Sequence, residues 1–576
     1  MKELLLGNAA VARGLYEAGC RFVSSYPGTP STEISEEAAR YPEVYAEWAP
    51  NEKVAAEAAI GASLAGARSF CAMKHVGFNV AADALYTDSY TGVNGGFVIA
   101  VADDQGMHSS QNEQDSRNHA IGAKIPLVEP SDSAECLEFT KAAFELSEQF
   151  DTPVILRTCT RVAHSQSLVE LGERREPELK EYTKAPSKYV VLPANAIGRH
   201  VWVEERMRRL AELAETSPLN RVEMGDTDIG FVTAGICYQY VREVFPNASV
   251  LKLGMINPMP VELIRDFASR VKKLIVVEEL DPVIENHCRV NGIRVDGGKD
   301  IFGLLGELNQ SKIAAAMGLG EKPSLDFGEP VPGRPPVLCP GCPHRGTFHV
   351  LSRMKLTVFG DIGCYTLGAL APLNALDTAL CMGSSVSSLH GFNKIRGEEY
   401  SGKAVAVIGD STFIHSGITG LIDIVYNKSL STVIILDNSI TGMTGHQQNP
   451  TTGLTLKGEP APFISIEKLC EGAGIKRIRV CDPYEMDEFE KVVREELAAD
   501  EPSVIIARRP CFLLPQIKAA PPLRIDAEKC RKCRMCMKIG CPAITFEYGH
   551  AAIDETLCVG CGLCVQMCRF GAIGRD

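Results

Sequence analysis

The sequence predicts a multidomain α/β protein built on parallel sheets and closed by a small cysteine-rich domain. Three observations predict it. Short runs rich in Val and Ile alternate with helix-length segments, two Pro-rich breaks punctuate the chain, and eight of the 21 cysteines crowd between Cys530 and Cys568.

At 576 residues the chain exceeds what one hydrophobic core usually fills, so several domains are expected. With 45% apolar and 23% charged residues it has the composition of an ordinary globular protein. The formal charge of -13, with 59 basic residues scattered among 72 acids, argues against a nucleic-acid surface. No apolar run approaches the roughly 20 residues that would span a bilayer. The opening "MKELLLGNAAVARGLYEAG" is broken by Asn8 and Arg13 and reads as a first helix rather than a signal peptide. A cytoplasmic protein without a membrane partner is expected. In that reducing compartment closely spaced cysteines point to metal rather than to disulfides.

The strand-length runs, in order, are "RFVSSY", "GGFVIAVAD", "IGFVTAG", "KKLIVVEE", "AVAVIGD", "TVIILDN" and "PSVIIARR". Continuous apolar runs separated by helical stretches predict parallel sheets covered on both faces. The breaks "GEPVPGRPPV" (328–337) and "LPQIKAAPPL" (514–523) suit linkers, and the strand pattern lapses across 165–225. Four units follow: 1 to about 180, about 190 to 320, about 335 to 513, and 524 to 576.

In the last unit, "CRKCRMCMKIGCP" is followed by "CVGCGLCVQMC", and the triplet at 530, 533 and 536 recurs at 558, 561 and 564. Two residues between cysteines let successive thiolates reach three irons of one cubane, while a remote Cys supplies the fourth. In the two-cluster pattern Cys530, Cys533, Cys536 and Cys568 hold one [4Fe-4S] cluster, and Cys541, Cys558, Cys561 and Cys564 the other. Four residues, Met537 to Gly540, separate Cys536 from Cys541 where three are usual, so an accommodating bulge is expected. Zinc ribbons also use paired CxxC, but zinc does not explain two interlocked quartets.

"AVAVIGDSTFIHSG" and "STVIILDNSITGMTG" read as a strand ending in Gly409-Asp410, a crossover helix, and a strand ending in Asp437-Asn438. Ligands of parallel sheets bind at the carboxyl ends of strands. Magnesium prefers oxygens, commonly one or two protein groups plus substrate phosphates. Asp410, the Asn438 amide oxygen and the Ile440 carbonyl would complete such a site around a diphosphate. GD, 27 residues and then N is the spacing of a thiamine diphosphate signature, and "TGMTG" (441–445), with Gly442 and Thr444, is Gly-rich enough to pack against the cofactor.

Thiamine diphosphate needs a carboxylate against its pyrimidine ring. "NEKVAAEAAIGASLAGARSF" offers Glu52 at the start of a helix, nine residues before Gly61, as in thiamine enzymes. Glu47 and Glu57 are close in sequence, and a Glu in a first helical turn is often a surface residue satisfying the helix dipole.

With "SYPGTPSTE", the NEK helix, "MKHVGFNVAADALYT", "HSSQNEQDSR", "CPGCPHRG", "GDIGC", the GD-to-N span and the cysteine tail in this order, the chain resembles the indolepyruvate ferredoxin oxidoreductase alpha subunits over essentially its whole length. The resemblance implies oxidative decarboxylation of aryl pyruvates with CoA to aryl-acetyl-CoA and CO2, with electrons passed to ferredoxin. It implies a smaller beta subunit, a hetero-oligomer with dimerised alpha subunits, and an anaerobic setting. It assigns 1–180 as the pyrimidine-binding thiamine domain, 190–320 as a transketolase C-terminal-like domain, 335–513 as the diphosphate and magnesium domain, and 524–576 as the two-cluster ferredoxin domain. The thiamine site would lie between the first and third of these. Thr29 of "YPGTP" would serve the substrate carboxylate, with Gly28 leaving space for an aromatic side chain. Relatives also carry a cluster beside thiamine, for which Cys339, Cys342, Cys364 and Cys511 match; the alternative is that Cys364 and Cys511 are buried core residues.

His75, His108 and His415 fall in motifs near the expected pocket and read as hydrogen-bonded structural residues rather than donors to substrate. Two other function classes remain open at this point. A non-redox thiamine decarboxylase with structural clusters would release aldehyde without CoA or ferredoxin. A pure electron-transfer module would need no Glu52, Asp410 or Asn438.

Overall fold

The computed structural model describes residues 1–576 except 321–327, 330, 401, 548 and 576, with the side chains at 398 and 547 also outside the description. Residue 330 of the Pro-rich break at 328–337, and 548 and 576 of the expected tail domain, therefore lie outside the described residues. The chain packs as two compact units, Met1–Gly328 and Glu329–Asp576.

The first unit is built on a seven-stranded sheet in the order 255–257, 127–128, 154–159, 97–103, 69–74, 22–25, 45–48. All its neighbours run parallel except Met255–Asn257, which pairs antiparallel with Leu127–Val128. A second sheet of four strands runs 273–277, 226–234, 248–253, 221–223, and the strand 255–257 leaves it to extend the first. One apolar core accordingly includes Phe97 and Ile99 of the large sheet with Leu251 and Leu274 of the small one.

The second unit carries a wholly parallel six-stranded sheet, ordered 378–379, 357–360, 404–409, 432–437, 503–508, 477–481. Its central strands Ala404–Gly409 and Thr432–Asp437 are buried at every residue, which is why they read as unbroken apolar runs. The cysteine-rich tail folds on small two-stranded ribbons, 524–525 with 573–574 and 544–547 with 550–553. Leu563 and Met567 of the tail share a core with Val405, Ile505 and Phe489 of the sheet layer. The protein is thus α/β, with largely parallel sheets in both units and a C-terminal segment of small two-stranded ribbons.

Two expectations are corrected. The opening segment is not helical from its start: Lys2–Leu6 is a strand, antiparallel to Gln166–Glu170, and the helix begins at Gly7. "KELLL" is a fair helix former in isolation, so tertiary pairing overrides propensity here. Gly7 marks the switch, since a Cβ there would lie 2.0 Å from the Val162 carbonyl oxygen. Likewise the strand pattern does not lapse throughout 165–225, which holds that partner strand, the 22-residue helix Pro193–Ala214 and the strand Arg221–Glu223. Only Val203, Arg206, Leu210 and Ala214 of this helix are buried, and so thin an apolar stripe gave no strand-like signal.

Candidate functional site

Strand 404–409 ends at Asp410, which starts a short α-turn; a π turn, Phe413–Gly417, follows before the helix Ile418–Tyr426. The neighbouring strand ends at Asp437, and Ser439 then takes a φ of 58°, a costly left-handed conformation for a residue with a side chain. Its amide donates to Asp437 Oδ1 at 3.1 Å. The turn brings the Asn438 side-chain amide to 2.8 Å from the Ile440 carbonyl oxygen and 3.2 Å from Asp410 Oδ1, where its nitrogen donates to both; turned by half a turn, the amide presents its oxygen there instead.

Asp410 is 2% exposed, and its carboxyl is pushed up to about 8, first by burial and then by the Asp437 carboxylate. Ser411 N–H donates to Asp410 Oδ1 at 2.9 Å, and Asp437 is itself held by Arg508 Nε at 2.7 Å. Asp410 is therefore a buried carboxylate whose charged form calls for a cation. Adjacent ligands of an octahedral magnesium at 2.0–2.1 Å stand about 2.9 Å apart. With the amide oxygen turned inward, the 2.8 and 3.2 Å spacings to Ile440 and Asp410 match that distance.

The remaining cofactor candidates lie around the same loop. Gly409 must lack a side chain, because a Cβ would come 2.7 Å from the Tyr365 ring. The Thr444 hydroxyl donates to Gln447 Oε1 at 2.6 Å, closing the turn after Gly442. A Cβ on Gly442 would lie 3.4 Å from Cys364 Sγ, and Cys511 N–H donates to the Asn438 carbonyl at 2.9 Å. So the loop adjoins two cysteines far from it in sequence.

Those two belong to a set of four. Cys339 and Cys342 precede the helix His344–Met354, Cys364 opens a 3-10 turn, and Cys511 follows the strand Ser503–Arg508. Cys364 and Cys511 are partly exposed rather than core. Burial pushes Cys364 up to about 11, and Cys511 and Cys339 raise it further; burial pushes Cys342 up to about 12, with Cys364 and Cys339 adding. Burial and then Cys339 likewise raise Cys511. Thiols that repel one another's ionisation suit a cationic cluster that needs them as thiolates.

In the tail, burial raises Cys536, and Cys530, Cys533 and Cys568 add to it. Burial pushes Cys564 up to about 12, and Cys561, Cys541 and Cys558 add to it. A small cavity is lined by Cys541, Cys558, Cys561 and Cys564 together with Arg345 and an apolar wall. Among the described residues no three His, Cys, Asp or Glu side chains converge as the ligands of one ion would; the thiols group more loosely. The extra residue before Cys541 is taken up by a 3-10 turn, Met535–Ile539, closed by Gly540 at φ 70°. Backbone N–H groups of Leu523 and Ala572 donate to Cys558 Sγ and Cys568 Sγ at 3.4 Å, bonds of a kind that tune a cluster's potential.

In the first unit, Asn51 caps the helix Glu52–Leu64 by accepting from Val54 N–H at 2.9 Å, which sets Glu52 as its first residue, 5% exposed. Gly77 packs against it, since a Cβ there would meet Glu52 Oε1 at 2.7 Å. Glu57 is exposed and pairs with Lys53, and Glu47 accepts from Ser24 and Tyr45. Thr29 is half-buried, in the loop before the helix Thr32–Ala38. A Cβ on Gly28 would lie 3.2 Å from Lys74 Cβ, so the open side of Gly28 faces a side chain rather than empty space.

Lys74 was not singled out by its sequence. It is buried, burial pushes it down to about 8, and its ammonium donates to the Ser109 carbonyl at 2.6 Å. His75 Nε2 lies 3.2 Å from the Asn112 carbonyl, His108 pairs with Glu307 and His415 with Ser416. No helix among the described residues is long and apolar enough to cross a membrane.

Comparison with known proteins adds three matched segments. Residues 13–207 match the family described as pyruvate flavodoxin/ferredoxin oxidoreductase, thiamine diphosphate-binding; 361–507 match the C-terminal TPP-binding domain of thiamine pyrophosphate enzymes; and 551–574 match a 4Fe-4S binding domain. The chain is 42% identical to the indolepyruvate oxidoreductase subunit IorA of Archaeoglobus fulgidus, over 99% of this chain and 97% of that one. It is 40% identical to the IorA subunit of Pyrococcus horikoshii, over 100% and 97%. Among solved structures, a 2-oxoglutarate:ferredoxin oxidoreductase from Magnetococcus marinus aligns over 55% of this chain and 64% of its own, at 19% identity and a TM-score of 0.45.

Proposed function

The chain belongs to the indolepyruvate ferredoxin oxidoreductase family as an IorA-type subunit, a thiamine-diphosphate-dependent, iron-sulfur 2-oxoacid:ferredoxin oxidoreductase, and on that footing we propose its substrates, ligands and site residues. The substrates are aryl pyruvates, indolepyruvate among them, which are decarboxylated oxidatively with CoA to aryl-acetyl-CoA and CO2. Ferredoxin takes the electrons. The subunit works in the cytoplasm of an anaerobe with a smaller beta subunit, in a hetero-oligomer whose alpha subunits dimerise.

Asp410, Asn438 and the Ile440 carbonyl hold Mg2+ against the diphosphate, with Gly409, Gly442 and Thr444 lining it. Glu52 holds and moves the proton at the pyrimidine nitrogen. Thr29 orients the substrate carboxylate. Thiamine diphosphate supplies the carbanion chemistry, and [4Fe-4S] clusters accept electrons one at a time. Two clusters sit on Cys530, Cys533, Cys536 and Cys568, and on Cys541, Cys558, Cys561 and Cys564; a third sits on Cys339, Cys342, Cys364 and Cys511.

One observation carries the redox reading over a non-redox decarboxylase. Cys511 donates its N–H to Asn438 and Cys364 stands against Gly442, so a thiol quartet adjoins the loop that offers the magnesium oxygens. Structural clusters have no reason to sit there, whereas an electron acceptor does. The test is an anaerobic assay with indolepyruvate, CoA, the beta subunit and a one-electron dye. Dye reduction dependent on both substrate and CoA is expected; aldehyde release without dye reduction would overturn the reading. Iron analysis should give about twelve irons per chain, and about eight would remove the third cluster.

A further inference from the structure

Arg345 stands between two cysteine quartets. It is 2% exposed, in the helix that follows Cys339 and Cys342. Its Nε donates to the Cys339 carbonyl at 3.1 Å and a terminal nitrogen to the Ile539 carbonyl at 3.2 Å. The terminal nitrogens also donate to the carbonyls of Leu338 and Gly540. The guanidinium therefore ties the first CxxC segment to the turn that precedes Cys541.

All four partners are neutral carbonyls. Burial lowers Arg345, and the groups that raise it are Cys541, Cys342, Cys339 and Cys561, with no carboxylate among them. A guanidinium stays protonated in proteins. Here is a buried cation beside cysteines of two different quartets, in the wall of the small cavity that Cys541, Cys558, Cys561 and Cys564 also line. The guanidinium's hydrogen bonds touch none of Cys530, Cys533, Cys536 and Cys568, and Cys536 is raised by burial and then by the other three.

We propose that Arg345 is a redox-tuning residue shared by the Cys339 and Cys541 quartets, its fixed charge raising the potentials of both clusters together. The inference rests on the cluster reading above. Reduction adds one negative charge to a cubane, and a nearby cation in a low-dielectric interior stabilises the more negative state. Because one guanidinium faces both quartets, it lifts both potentials and leaves the driving force between them nearly unchanged. The Cys530 quartet, which its hydrogen bonds do not touch, is the internal reference. Sequence position gives no hint of this role, since Arg345 and Gly540 are 195 residues apart.

The experiment is an EPR-monitored potentiometric titration of the anaerobically purified holoprotein, wild type beside Arg345→Gln, Arg345→Met and Arg345→Lys. Signals are assigned by their loss in Cys364→Ser and Cys533→Ser proteins. In the two neutral variants the midpoints of the Cys339 and Cys541 clusters should move to more negative values. The Cys530 cluster should stay in place, and Arg345→Lys should return most of the shift. Unmoved midpoints, or an equal movement of all three clusters, would overturn the assignment while leaving the cluster reading intact. A wild-type protein with about eight irons would overturn the third cluster and this inference together.

Discussion

Gly77 and Glu52 interlock: a Cβ on Gly77 would lie 2.7 Å from both Cγ and Oε1 of the glutamate. The helix His75–Thr91 thereby fixes where the Glu52 carboxylate stands. Gly77→Ala should displace that carboxylate by a fraction of its own length without disturbing the tail. A misplacement of about 1 Å can cost on the order of 10²-fold in rate. Steady-state kinetics should show a loss of that order in kcat, with iron content unchanged; a variant at the wild-type rate would separate Gly77 from the chemistry.

Glu52→Gln removes the proton-accepting group while keeping its volume. General acid-base contributions run about 10² to 10⁴-fold. Substrate-dependent cluster reduction, followed by bleaching in stopped flow, should slow by an amount in that range. Bleaching at the normal rate would refute the proton role.

Asp410→Ala tests the magnesium site. The carboxyl is buried and pushed up to about 8, so without metal its neutral form is favoured at neutral pH and its removal costs the metal-free fold little. Purified Asp410→Ala protein should retain its iron and its melting temperature yet carry no thiamine diphosphate, even after incubation with magnesium. Retention of the cofactor would move the metal site elsewhere.

Asp88 gives the first unit a pH dependence. Burial pushes its carboxyl up to about 7, Asp151 adds, and the Thr91 hydroxyl, Arg206 and Lys188 pull the other way. The folded-state pKa lies above the unfolded value of about 3.9, so the fold favours the protonated form. That stability is complete below about pH 4 and is lost as pH rises through about 7, at most about 1.4 kcal/mol per pH unit. Asp88→Asn mimics the protonated acid and should match wild type near pH 4 but exceed it progressively up to pH 8. Hydrogen exchange in the helix His75–Thr91 reads the difference; equal protection at both pH values would place the titration elsewhere.

Gly540 closes the turn that absorbs the extra residue before Cys541. Its φ is 70°, and a Cβ would meet Arg345 Nη1 and the Pro372 ring at 3.1 Å. Gly540→Ala should cost about 1 kcal/mol or more from the backbone alone. Cluster loss on mild chelation should accelerate for the Cys541 quartet before the Cys530 quartet.

Sequence legibility followed burial and spacing. The runs "AVAVIG" and "TVIILD" were readable because every residue in them is enclosed and their interior positions are all apolar. The strand Val154–Cys159 escaped notice because Arg157 interrupts it, and Arg157 is tolerated there only because Asp103 and Glu129 meet it at 2.7 and 2.6 Å. The strand Ser69–Lys74 hid for a similar reason, its last residue being a buried lysine. The bond between Lys2–Leu6 and Gln166–Glu170 joins segments no local pattern connects.

By itself the sequence determined which residues are candidates for the chemistry: the cysteine sets, the Asp410-to-Asn438 interval and the carboxylate of Glu52, since ligand type and chain interval are written in residue order. Only the tertiary structure decided which neighbours those atoms keep. The left-handed Ser439 that folds the Ile440 carbonyl back toward Asn438, the contact of Cys364 with Gly442, and the guanidinium of Arg345 between two quartets all depend on segments brought together by packing. Such contacts arise from the shape of a shared core, a property of the folded chain that no stretch of residues encodes alone.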